Sequence, residues 1–476
     1  MGDLGEGLSH YQRQGFCSFH TPGHKGRQEF FHGLDFCGFD LTELPGLDML
    51  HSPSGIIAQA QRRSAQIFGA DETYFLVNGG TVGNQAMFLA LTDTTKQVVV
   101  ERSSHRSVMS ALVLSGFRPQ YLNSVIHPEF NLPLGFNAAG QFSWSKVSAC
   151  HVTYPSYYGT GIDLQGLSTE RTDLAPHTPL LVDQAHGSHF LNSLFPPSAL
   201  RLGADLVLHS THKTLSALTQ SAMLHVQGTK VSRTRLRQSL ELLQSSSPSY
   251  VLLASLERAA EYALEVGRWE ILREEVERLH HTVGGRFRIL SQKDVGTYGI
   301  HSVDWSKILI NTLPLGVSAS RCVEFLRKEF RLEPELWDEE NILFLIGIGN
   351  TPEDIRRLRK GLDCLSNKVL ALGFEDFKHQ DRKDKGIAAA LPPQILTPRE
   401  AFLAPKRQIA LRESLGCIVG ETISPYPPGI PIIVMGEQMT SEVLETLLAV
   451  EKGRWQGWQG FESQTIWIVE EEQRMS

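Results

Sequence analysis

Short apolar runs recur at 74–77, 98–100, 149–153, 180–182 and 206–208, separated by longer stretches with helical spacing. Such runs, bounded by turn formers, predict buried strands, and their alternation with helices predicts an α/β architecture with a mainly parallel sheet. After Tyr250 the pattern changes: Leu252, Leu256, Ala259, Ala260 and Leu264 recur every three or four residues and predict a long helix connecting two domains. Runs at 307–311 and 342–348 predict strands of a smaller α/β unit. Thr351-Pro352-Glu353-Asp354 offers an N-cap, a first-position proline and acids in the first turn, so a helix to about Leu365 closes that unit.

The flanks read differently. Residues 1–50 lack sustained periodicity, and Phe19-His20-Thr21-Pro22-Gly23-His24-Lys25-Gly26 favours turns, which predicts an arm or irregular lid. Residues 375–394 pass from mixed charge to an Ala/Pro stretch, the composition of a solvated linker. A third unit then holds the turn 425–429, a strand at 430–434 and a helix after Thr440. The expected organisation is an arm (1–50), a large domain (51–255), a small α/β domain (256–374), a linker (375–396) and a C-terminal domain (397–476), with no internal repeats.

Composition narrows the class. With 476 residues, 41% hydrophobic and 20% charged, the chain has ordinary globular usage. A formal charge of −7 is no phosphate-binding footprint, so no nucleic-acid partner is expected. No apolar run approaches the ~20 residues of a membrane helix, and the first residues show no secretory signal, so a cytoplasmic enzyme without a membrane partner is expected. The six cysteines form no Cys-x-x-Cys pair and are expected to be buried free thiols, with no metal site.

Four polar clusters sit where strands should end, and ligands of open α/β sheets bind outside the carboxyl ends of strands. Asn78-Gly79-Gly80-Thr81-Val82-Gly83-Asn84 lies between a strand and a helix, where small residues let backbone N–H groups approach a phosphate. Alone it is more often a plain turn. Val182-Asp183-Gln184-Ala185-His186-Gly187 ends a buried strand in an acid that needs a cationic or protonated partner. Leu208-His209-Ser210-Thr211-His212-Lys213-Thr214 offers hydroxyls, an imidazole and a lysine suited to Schiff-base chemistry if burial lowers its pKa. Glu101-Arg102-Ser103-Ser104-His105-Arg106 puts an imidazole at a helix start, where it can stack on a planar ring. Together, a phosphate cradle, an aromatic partner, an acid and a lysine describe a site for pyridoxal 5′-phosphate. No Gly-x-Gly-x-x-Gly follows an early strand, and P-loop, His-Glu-x-x-His and Gly-x-Ser-x-Gly signatures are absent, which disfavours dehydrogenase, NTPase, zinc-protease and hydrolase readings.

The motifs from Phe19 to Gly26, Val182 to Gly187, Ser210 to Lys213 and Tyr426 to Pro431, with 40–48 (DLTELPGLD) and 245–250 (SSSPSY), resemble the ornithine/lysine/arginine decarboxylase family over nearly the whole chain. The resemblance implies a PLP-dependent fold type I (aspartate aminotransferase-like) large domain, a small α/β domain and a C-terminal α+β domain. It implies a carboxy-lyase of polyamine biosynthesis acting on a basic L-amino acid, with arginine slightly favoured. By the same resemblance Lys213 forms the Schiff base, Asp183 pairs with the ring nitrogen, His105 stacks on the ring, and Ala185 and His186 lie against it. Gly80, Thr81, Ser210 and His212 would hold the phosphate, and Ser247 would reach a neighbouring subunit's phosphate in a homodimer. The distal cation of a basic substrate needs an acceptor, for which Glu421 and Glu437, flanking the Pro-rich turn of the C-terminal unit, are candidates; each is more often a plain solvated carboxylate. Gly80, Gln184 and Met435 stand where the family usually has Ser or Thr, Glu and Pro. No receiver-like wing domain is expected, so large ring assemblies are not carried over. An aminotransferase or lyase of the same fold, or a non-catalytic cofactor-binding homologue, stays open on these residues.

Overall fold

The computed structural model describes residues 10–91, 96–138, 140–372, 391–426, 429–449 and 454–470. The arm is more ordered than its composition predicts. Strand β1 (Cys17–Phe19) pairs in parallel with Leu332–Pro334, and Phe19, Phe30 and Phe31 are buried. Apolar anchors at intervals, rather than periodicity, fix this segment.

The central sheet contains β2 (Glu72–Leu76), β3 (Gln97–Glu101), β4 (Arg118–Leu122), β5 (Cys150–Thr153), β6 (Leu180–Asp183), β7 (Leu206–His209) and β8 (Ala222–Val226), in the order β2-β8-β7-β6-β5-β3-β4. The five strands from β7 to β4 pair in parallel, while β8 is antiparallel to both neighbours. All five predicted strands are present. Leu180 and Val182 join the core on one face and Leu181 the core on the other, so β6 is apolar throughout, as a doubly covered parallel strand must be. Register places Asp183 between Thr153 and Leu208.

The predicted connecting helix is two helices, α1 (Tyr250–Tyr262) and α2 (Val266–Val283), with the expected 255/256 boundary inside α1. The smaller sheet is antiparallel: β9 (Arg288–Ile289), β10 (Lys307–Asn311), β11 (Asn341–Leu345) and a short edge at Leu336–Trp337. The run predicted as a strand to 348 stops at Leu345, because Gly349 turns onto the N-terminal loop. A Cβ at Gly349 would sit 2.4 Å from the His24 carbonyl carbon. Helix α3 (Pro352–Leu372) begins as expected and runs past Leu365.

In the C-terminal unit Thr440 caps helix α4 (Ser441–Leu448), as predicted. The 430–434 run is not a strand: Ile433 makes an isolated bridge to Ile423, and the Pro431 and Ile432 carbonyls turn inward to accept from Arg102. Pro427, Pro428 and 373–390 lie outside the described residues. Cys17, Cys150 and Cys322 are buried free thiols, whereas Cys37 and Cys364 are exposed, Cys364 on the outer face of α3. No helix among the described residues is long and apolar enough to cross a membrane.

Candidate active site

The ends of three parallel strands deliver the polar groups. β6 ends in Asp183, β7 ends in His209 and leads through Ser210 into the single turn Thr211–Thr214, and the segment after β3 carries His105. Lys213 Nζ lies 3.1 Å from His186 Nε2, and the fields of Lys213 and Asp183 both act on His105. Thus Lys213, His186, His105 and Asp183 converge.

Asp183 is 3% exposed and accepts from the Asn84 amide at 2.8 Å on Oδ2 and from the Ala185 N–H at 3.0 Å on Oδ1. Two hydrogen bonds leave carboxylate lone pairs free for a further donor. Asn84 also donates to Ser107 Oγ at 2.9 Å, and Ser107 Oγ lies 2.8 Å from His105 Nδ1. One amide therefore orients both the acid and, through Ser107, the imidazole. Burial lowers the Lys213 pKa against the opposing pull of Asp183 and Glu335. Burial also holds His105 and His212 at about 4 and His186 well below the ordinary histidine value, with Lys213 adding to each shift.

Gly80 and Thr81 lie in the first turn of the helix Gly79–Leu89. A Cβ at Gly80 would stand 2.5 Å from Ser210 Oγ, so the missing side chain lets that hydroxyl and the helix start share one cradle. His212 Nδ1 lies 2.9 Å from the Ser221 carbonyl oxygen, which fixes its ring. Ser247 is exposed, and its N–H donates to Ser245 Oγ, while the Ser245 N–H donates to Asn78 Oδ1 at 3.2 Å within the same chain.

Glu421 and Glu437 do not join this group. Glu437 is fully buried with both oxygens on the Arg102 guanidinium, so its charge is already matched and it is no open acceptor for a substrate cation. Glu421 accepts the Trp467 and Gln459 N–H groups, and burial raises its pKa. Both carboxylates tie the C-terminal unit together.

Sequence reasoning assigned no role to Asn84, Lys25, Tyr157, Lys307 or Glu335. Glu335 accepts from the Thr21 N–H and the Tyr157 hydroxyl, each at 2.7 Å. Burial would raise its pKa, but Lys307, these hydrogen bonds and Lys25 lower it. Lys25 Nζ donates to the His20 and Leu345 carbonyls, and the Gly23 N–H donates to the His212 carbonyl at 2.7 Å, which seats the N-terminal loop against the turn bearing Lys213. For Lys307 the available signal was a lysine opening a strand whose next three residues, Ile308 to Ile310, are apolar. A cavity of about 980 Å³ bordered by His280, Asp294, Trp305 and Lys307 does not include Lys213.

An amine of lowered pKa, a buried acid with spare lone pairs and a glycine-opened cradle fit pyridoxal 5′-phosphate. Solved structures similar to this one include the constitutive lysine decarboxylase of E. coli (TM-score 0.74, 19% identity, 95% of this chain and 79% of that chain). The Francisella novicida lysine decarboxylase LdcF aligns at TM-score 0.75 and 20% identity, over 95% of this chain and 79% of that one. The fold is that of the type I pyridoxal-phosphate enzymes. The sequence matches the Orn/Lys/Arg decarboxylase major domain over residues 3–294 and the C-terminal domain of the same family over 382–474, so the chain belongs to that family and is a pyridoxal-phosphate-dependent amino-acid decarboxylase. The arginine decarboxylase of Bacillus subtilis is 33% identical over 459 residues, covering 92% of this chain and 91% of the relative.

Proposed function

We propose that the protein decarboxylates L-arginine to agmatine and CO₂, with Lys213 as the attachment point for pyridoxal phosphate. The observation that carries this is the Lys213 amine held at 3.1 Å from His186, one strand end away from the doubly bonded Asp183. When bound, the cofactor supplies the electron sink for the pair left on Cα as CO₂ departs. Asp183 would pair with the cofactor's ring nitrogen and keep it protonated, and His105 would stack on its ring. Ala185 and His186 would lie against it. Gly80, Thr81, Ser210 and His212 would hold its phosphate, and Lys213 would return a proton to Cα as general acid. Arginine is favoured over lysine because relatives named arginine decarboxylase are 30–33% identical over at least 90% of this chain, against 24–28% for those named lysine decarboxylase. A homodimer with Ser247 reaching the neighbouring phosphate and a cytoplasmic location are part of the same proposal. Its six free cysteines suit a reducing compartment.

The test supplies full-length protein and pyridoxal phosphate with equal arginine, lysine and ornithine and quantifies agmatine, cadaverine and putrescine. Agmatine should dominate and vanish in Lys213→Ala. Dominant cadaverine or putrescine would overturn the substrate, and a keto acid without an amine would point to transamination.

A further inference from the structure

Lys307 is 2% exposed, the first residue of β10, and lies outside every motif read from the sequence. A buried ammonium is costly unless hydrogen-bonded and charge-matched. Its Nζ is 2.7 Å from His186 Nδ1 and 3.4 Å from the Tyr157 carbonyl oxygen. On the other edge of the same imidazole, Nε2 meets Lys213 Nζ at 3.1 Å.

A neutral imidazole has one donor and one acceptor nitrogen, and an ammonium only donates. With Lys307 charged, Nδ1 must accept, the ring proton sits on Nε2, and Nε2–H needs the lone pair of a neutral Lys213. With Lys213 charged, Nε2 accepts, the proton sits on Nδ1, and Lys307 must be the neutral amine. The three groups therefore hold one excess proton in two mirror arrangements.

We propose that Lys307 is a positioning residue and proton reservoir for Lys213, exchanging one proton with it through His186. In the transfer an N–H bond of Lys307 breaks as Nδ1–H forms, and Nε2–H breaks as a new N–H forms on Lys213. His186 ends neutral in the other tautomer, and the total charge is unchanged. Lys307 faces Glu335, Asp304, Lys25 and Lys213. His186 also faces His105 and His212, and Lys213 faces Asp183 and Glu335. Burial lowers both lysines, Lys307 to about 8, and Glu335 opposes the shift in each, so neither end of the relay is a fixed charge.

The inference rests on Lys213 being the cofactor-bearing residue, and the test separates the two. Full-length protein loaded with pyridoxal phosphate is titrated from about pH 5.5 to 9.5 by its visible absorbance, alongside kcat and KM for arginine. Removing the cation in Lys307→Met should raise the spectral midpoint by at least about half a pH unit, and removing the anion in Glu335→Gln should lower it. Lys307→Met should also lose at least about tenfold in kcat with KM within about threefold. Lys307→Arg fixes the His186 tautomer but cannot release a proton, so it should keep the midpoint and still lose kcat. Unmoved midpoints in Lys307→Met and Glu335→Gln, or wild-type kcat in Lys307→Met, overturn the reservoir. Lys213→Ala retaining the wild-type band would instead sink the assignment of Lys213.

Discussion

The guanidinium of Arg102 and the carboxylate of Glu437, 335 positions apart, face each other as a buried fork, with Nη1 on Oε1 at 2.6 Å and Nη2 on Oε2 at 2.9 Å. The pair joins the segment between β3 and His105 to the C-terminal unit, and Arg102 further donates to the Pro431 and Ile432 carbonyls. Removing one partner strands a buried charge, so Arg102→Met or Glu437→Gln should each cost about 3–5 kcal/mol in denaturant unfolding. The double variant Arg102→Met/Glu437→Met should lose clearly less than the sum. Additive losses would show that the two side chains are energetically independent.

Glu101 has its pKa raised to about 7 by burial, against hydrogen bonds from Ser103 and Thr153 and with added repulsion from Asp183. Its folded pKa exceeds the ordinary 4.5, so the native state binds its proton more tightly than the unfolded chain does. Stability from this group is therefore present below about pH 4.5 and lost as pH rises through about 7. Glu101→Gln keeps an acceptor for the Thr153 N–H and should gain up to about 3 kcal/mol over wild type at pH 8, with no gain at pH 4.5. Unfolding curves at the two pH values check the difference.

Buried imidazoles act in the opposite direction. Burial holds His151 at about 4 and His225 at about 3, and pushes His209 and His186 well below 6.5, while His225 Nε2 lies 2.9 Å from His209 Nδ1. These rings stay neutral when folded but charge when unfolded, so stability is whole above about pH 6.5 and falls as pH drops toward 4. Each group contributes a slope of up to about 1.4 kcal/mol per pH unit in that window. Melting temperatures from pH 7.5 to 4.5 should fall steeply, and His225→Asn should flatten the decline.

At Gly80 a methyl group would meet Ser210 Oγ. Gly80→Ala should rotate that hydroxyl out of the cradle and weaken pyridoxal-phosphate binding about three- to tenfold by equilibrium dialysis. Gly80→Ala/Ser210→Gly should restore space without restoring the hydroxyl, leaving the affinity loss in place. Wild-type affinity in both variants would place the phosphate elsewhere.

The parts of the site legible in the sequence were those carried by short contiguous motifs at strand ends. Asp183 and Lys213 follow apolar runs whose two-sided burial the pattern already required, so their location at the sheet's carboxyl edge followed from local information. Lys307 and Glu335 act through contacts to residues more than 100 positions away, His186 for one and Thr21 and Tyr157 for the other. No local period encodes such meetings. Glu437 failed for a related reason: an acid beside a turn looks solvent-facing until its distant arginine is known. The 430–434 run was apolar because it is buried, and burial alone does not distinguish a paired strand from an inward-turned loop.

The pairing of Cys17–Phe19 with Leu332–Pro334 has a consequence for synthesis on the ribosome. These partners are 315 residues apart, so at about 5–20 residues per second the first strand waits roughly 15 to 60 s for its mate to be made. In roughly the last third of that interval, after Val226 has been made, every strand of the large sheet exists while the His20–Lys25 loop still lacks the Leu332–Pro334 strand that anchors the arm beside it. A nascent chain thus completes its central sheet before its N-terminal arm is anchored, and stalled fragments ending before Leu332 should carry both Lys213 and the His20–Lys25 loop without the strand that holds the arm in place.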